Sequence, residues 1–113
     1  MVDARDFKDK TAIVGVGNTN FGALYRDLDP QRSAYDLGIE AFKNALDDSG
    51  LKKEDIDGLI VSRIPSYSRT ATMLGLPNLR EVNVTEGGGR QSALSLQIAA
   101  NWVYSGLANY IVC

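Results

Sequence analysis

Residues 79–105 restrict the possible folds more than any other part of the chain. Leu79 to Thr85 alternates apolar and polar side chains, the pattern of a strand. Gly87, Gly88 and Gly89 follow, and Gln91 to Ser105 then reads as a helix closed by Gly106. The apolar residues of that helix, among them Leu94, Leu96, Ile98, Ala99, Trp102 and Val103, run almost all the way round. Such a helix is expected to be buried on most sides. Ala108 to Cys113 is apolar again and reads as a further strand. Strand, glycine turn, buried helix and strand together predict a layered α/β unit.

The rest of the chain extends that pattern. Thr11 to Gly17 is almost wholly apolar and is expected to be a buried strand of a sheet covered on both faces. Asn18 to Arg32 reads as a long loop with Asp29-Pro30 as its turn signal. Ser33 opens a helix, with Asp36 completing a capping box, and Leu37, Ala41, Phe42, Ala45 and Leu46 define its apolar face. Gly50 supplies a left-handed stop. Asp57 to Arg63 is the second expected strand, and Ser68 to Gly75 suggests a short helix. The order β-α-β-(α)-β-α-β implies crossover connections and a mainly parallel sheet. There is no internal repeat.

Composition excludes several classes of function. The chain has 113 residues, enough for one domain, with 44% hydrophobic and 23% charged residues, an ordinary soluble balance. A net charge of −2 without a basic block argues against a nucleic-acid partner. No apolar run approaches the roughly 20 residues of a membrane span. The polar start, Met1 to Asp6, is no secretory signal, so a cytoplasmic location is expected. Cys113 is the only cysteine, which rules out an internal disulfide, and histidine is absent, which removes the commonest general base and metal ligand. The chain stops inside the run Tyr110-Ile111-Val112-Cys113 and reads as cut at its C-terminal end.

Two glycine motifs have chemical readings. Gly15-Val16-Gly17 follows a strand pattern, but Asn20 stands where a dinucleotide fingerprint requires glycine or alanine, and a loop rather than a helix comes next. Structural glycines explain it better. The turn from Thr85 to Arg90 supports two readings. Its glycines either provide space for a close-packed turn or shape an oxyanion or thioester pocket from N–H groups at a helix start. Arg90 either binds an anion or pairs with a local acid such as Glu86. The acidic groups Asp47-Asp48 and Glu54-Asp55-Asp57 are expected to be solvated, and no metal site is expected.

Several segments together resemble the N-terminal half of a thiolase. Thr11 to Gly22 is similar to the opening strand of the sterol-carrier-protein/lipid-transfer branch of that superfamily. Asp48 to Leu59 resembles its first helix end and following strand, and Val82 to Val112, with Ser105-Gly106-Leu107-Ala108 closing the helix, resembles its nucleophile region. The resemblance implies a thiolase-like layered fold with residues 1–113 as a partial N-terminal domain. It also implies a mainly parallel sheet, a buried central helix and dimeric assembly.

In thiolases a nucleophilic cysteine begins this helix, and counting back from Ser105 places that position at Gly89. A glycine forms no acyl-enzyme. The resemblance therefore implies chemistry on acyl-CoA thioesters without a cysteine nucleophile, retro-aldol C–C cleavage being favoured. Gly88, Gly89 and Arg90 would shape the thioester pocket, and no catalytic residue lies in this stretch. No cofactor is expected beyond the coenzyme A of the substrate. A homodimer and a small zinc-ribbon/OB-type partner subunit are expected. Acetyl-CoA acyltransferase activity, or a non-catalytic lipid-binding subunit, are the alternatives.

Overall fold

The computed structural model describes residues 3–20 and 32–113. The turn read at Asp29-Pro30 lies outside the described residues. A 3-10 turn at Ala4–Phe7 precedes an irregular segment, and helix α1 spans Ala34–Ser49. Strand β1 (Gly58–Ser62), helix α2 (Tyr67–Leu74), strand β2 (Glu81–Thr85), helix α3 (Gln91–Tyr104) and strand β3 (Ile111–Val112) follow. The sheet is parallel throughout, with β1 in the centre, β2 on one side and β3 on the other. Such a central strand is buried on both faces, and Leu59, Ile60 and Val61 are all buried.

Alternation along β1 sorts the two layers. Leu59 and Val61 join Phe42 of α1, Leu74 of α2 and Ile56 in the main core, with Val84 and Val112 packed from the flanking strands. Fully burying one such side chain contributes about 1.5–3 kcal/mol. Ile60 lies on the opposite face, the face to which Thr85 reaches across to Ser95 of α3. Helix α1 begins with the expected box. The Ser33 hydroxyl accepts from the Asp36 N–H, and the Asp36 carboxylate accepts from the Ser33 N–H at 2.7 Å. Gly50 ends it at φ +73°, as expected.

Two expectations fail. Thr11 to Gly17 belongs to no strand, and Ile13, Val14 and Val16 are 57–69% exposed. The segment lies on α1 instead. A Cβ on Gly15 would come within 2.6 Å of the Ala45 carbonyl oxygen, and one on Gly17 would strike the backbone of Ala41 and Ala45. The Val16 N–H donates to the Asp48 carboxylate at 2.9 Å, and the Asn44 side chain donates to the Asn18 carbonyl at 2.8 Å. An apolar run signals that a segment seeks burial but not which partner it finds; here the bare glycine backbone finds a helix.

The second failure concerns α3. Only Ser95 is fully buried in it, while Leu94 and Leu96 are 42% and 47% exposed. One sheet face covers one flank of a helix, and the described residues cover little else of it.

Candidate functional site

The three parallel strands give the sheet an amino edge and a carboxyl edge. Open parallel sheets bind ligands outside the carboxyl ends of their strands. Here that edge comprises Ser62 at the end of β1, Arg63 after it, and the glycine turn after β2. The register sets Ser62 directly beside Thr85, so both exits leave the sheet side by side.

Thr85 anchors the turn. It is buried, and its hydroxyl lies 3.3 Å from that of Ser95, which donates to the Gln91 carbonyl at 2.9 Å. These contacts hold the first turn of α3 against the end of β2. Beyond Thr85, every residue from Glu86 to Arg90 is exposed.

The three glycines are not equivalent. Gly87 has φ +142°, and a Cβ there would come within 2.7 Å of the Gln91 side chain. This position requires glycine for conformation and space alone. Around Gly88 and Gly89 a Cβ would meet nothing within 4 Å. Backbone conformation therefore explains Gly87, while Gly88 and Gly89 face open space. A backbone constraint thus accounts for one glycine of three.

The start of α3 is left uncapped. Arg90 occupies the cap position in helical geometry, at φ −60° and ψ −20°, with no side-chain hydrogen bond. The Gln91 and Ser92 N–H groups turn back to the Gly88 and Gly89 carbonyls at 3.0 and 3.2 Å. Among the described residues, the N–H groups of Gly88, Gly89 and Arg90 have no hydrogen-bond partner. No acid stands in the first helical turn. Three unpaired donors at a helix start suit an anion or a developing oxyanion. Arg90 forms no ion pair with Glu86, nor with any other acid among the described residues.

Arg63 is expected as the last residue of the second strand, but β1 ends at Ser62 and Arg63 leaves it with no site role legible in the sequence. It is exposed, with φ +62°, one of two residues other than glycine in the left-handed region among those described. That conformation costs about 1–2 kcal/mol for a residue bearing a Cβ. It has no sequence signature.

Asp57 corrects the solvated reading of its cluster. It is buried, and its carboxylate accepts from the N–H groups of Asn109 and Tyr110, each at 2.8 Å, and from the Asn109 side chain at 3.2 Å. The Asp57 carbonyl accepts from Arg80 and Glu81, while the Asp57 and Gly58 N–H groups donate to Tyr110. All three strands are thus joined at their amino ends. The available signal was its position, an acid immediately before an apolar strand rather than within a charged loop.

Cys113 packs on α3 at Ser95. Its sulfur rests 3.8 Å from the Ser95 carbonyl oxygen, and desolvation pushes its pKa up, which disfavours the thiolate. No cluster of metal-ligating side chains occurs among the described residues, and no helix among them is long and apolar enough to cross a membrane.

No protein-family model matches the chain. It is 32% identical over 104 residues to a steroid side-chain-cleaving aldolase of Thermomonospora curvata, covering 90% of this chain and 25% of that protein. It is 31% identical over 105 residues to a 17-hydroxy-3-oxo-4-pregnene-20-carboxyl-CoA lyase of Mycobacterium tuberculosis, covering 91% of this chain and 26% of that one. The chain thus spans about a quarter of the length of the curated relatives it matches. Among solved structures it is similar to an Ltp2-ChsH2(DUF35) aldolase, with a TM-score of 0.76 and 31% identity over 90% of this chain and 26% of that one. The priming beta-ketosynthase of the R1128 polyketide pathway shares the fold, with a TM-score of 0.68 and 19% identity over 85% of this chain and 38% of that one. The chain has a thiolase-like α/β fold.

Proposed function

We propose that residues 1–113 are the N-terminal part of a cysteine-less thiolase-like enzyme that cleaves a C–C bond in acyl-CoA thioesters by a retro-aldol reaction. The observation that carries this reading is the open, uncapped turn at Gly88 and Gly89. It has room and free N–H donors for a thioester oxygen, and no side chain able to attack one. In a retro-aldol step a base removes the β-hydroxyl proton, and the Cα–Cβ bond breaks to give a carbonyl compound. Its electron pair passes into the thioester enolate, which is then protonated at carbon. Hydrogen bonds to the enolate oxygen stabilise that charge. Gly88, Gly89 and the N–H of Arg90 serve that role, and Gly89 stands where a thiolase carries its nucleophile.

The names of the relatives, an aldolase and a CoA lyase, support the reaction class. The coupled name of the solved aldolase supports a small partner subunit, of the zinc-ribbon/OB kind in this reading. The base belongs to chain beyond these residues or to the partner. The enzyme works in the cytoplasm as a homodimer and needs no bound cofactor. Within these residues acyltransfer through a cysteine is disfavoured, because Gly89 has no thiol and that of Cys113 is held toward its protonated form.

Product analysis tests the proposal. The complete protein with its partner is mixed with a CoA thioester bearing a tertiary β-hydroxyl, and the products are followed by mass spectrometry. A ketone and a shortened acyl-CoA are expected, at a rate independent of added free CoA. Consumption of free CoA with thiolytic products would overturn it.

A further inference from the structure

Among the described residues, Arg63 is the one strained side-chain-bearing residue at the carboxyl edge, and the main core does not account for it. It follows Ser62, which pairs in register with Thr85, so it leaves the sheet beside the glycine turn. Neighbouring strands lie about 4.8 Å apart, which puts the start of the Arg63 exit within side-chain reach of that turn. Its backbone is left-handed at φ +62°, a conformation glycine adopts without strain. The residue is exposed and pairs with no acid among the described residues. Strain of this kind is found where the surroundings dictate a direction for the chain, and it collects at binding sites. Arg90 brings a second exposed, unpaired guanidinium to the same edge. A guanidinium presents a planar fork of donors suited to phosphate oxygens.

We infer that Arg63 is a binding residue for the phosphates of the CoA carrier, holding that end of the substrate while the glycine turn receives the thioester. This rests on the CoA-thioester reading above and deepens it. Arg63→Gly separates binding from folding, since glycine accepts the same backbone conformation. The complete protein and its R63G variant are titrated calorimetrically with coenzyme A, and their KM values are compared for a CoA thioester and the matching pantetheine thioester, which lacks the nucleotide phosphates. The expected result is an R63G protein with an unchanged or higher Tm and an affinity for coenzyme A weakened about tenfold. Its KM for the pantetheine thioester should match that of the wild type. If R63G binds coenzyme A as the wild type does, the role of Arg63 is refuted while the thioester reading stands. If the wild type itself binds no coenzyme A, both fall. An equal loss toward both thioesters would also overturn the assignment, because it would place Arg63 away from the phosphates.

Discussion

The two edges of the sheet are built on opposite terms. At the amino edge, Asp57 takes up N–H groups leading into β2 and β3, and its own strand returns two N–H groups to Tyr110. At the carboxyl edge, the turn after β2 is exposed, α3 begins without a cap, and Arg63 holds a strained conformation. Buried polar groups left without partners cost free energy, so a satisfied edge contributes to the stability of the fold. Donors left free at the other edge are available to a ligand. The sheet thus separates the residues that hold it together from those that can receive a substrate.

Substitutions at the two edges should break that separation in different ways. The largest effect is expected at Asp57. Asp57→Ala removes the buried acceptor of three part-buried donors and should lower stability by about 3 kcal/mol in urea unfolding, with little specific effect on binding once folded. Asp57→Asn, which keeps one acceptor oxygen, should lose less. Next comes Gly89→Leu, which fills the open space in front of the turn. It should leave Tm nearly unchanged while lowering turnover by about a hundredfold, as expected for a displaced substrate. A large loss of stability there would show that Gly89 is a packing glycine after all.

Gly87→Ala should show the reverse, costing about 1–2 kcal/mol in thermal unfolding because of its positive φ. Arg63→Gly should raise stability by less than about 1 kcal/mol, the strain relieved being partly offset by glycine's entropy.

The smallest effect concerns the closed start of α1, the counterpart of the open start of α3. Hydrogen bonds from the Ser33 N–H and hydroxyl hold the Asp36 carboxyl below its ordinary pKa of 3.8. A lowered carboxylate pKa favours the folded state once the group ionises, so this contribution is present above pH 3.8 and is lost as pH falls below it. An acid titration of Tm should therefore be slightly shallower in Asp36→Asn than in the wild type.

Local signals were the ones the sequence made legible. Ser33 with Asp36, and Gly50, mark the ends of α1 because caps are set by neighbouring residues. The strands of the sheet were visible because Leu59 to Val61 form an apolar run that is buried and Leu79 to Thr85 alternates apolar and polar side chains. What remained hidden depended on partners distant in sequence. The run from Thr11 to Gly17 has the composition of a strand, yet its glycines settle on α1. Asp57 looked solvated because its partners, Asn109 and Tyr110, lie more than 50 residues away. The glycine turn was found as a candidate, but its three glycines look alike in sequence; the positive φ and crowding at Gly87, and the space at Gly89, exist only in three dimensions.

The claim that the carboxyl edge handles a thioester without covalent chemistry is tested most directly by intact-protein mass spectrometry. The complete protein is mixed with excess acyl-CoA, quenched in acid within milliseconds to seconds, and weighed. The account predicts the unmodified mass at every time point while the thioester is being cleaved. A transient increase by the mass of the acyl group, mapped to any residue of the protein, would contradict it.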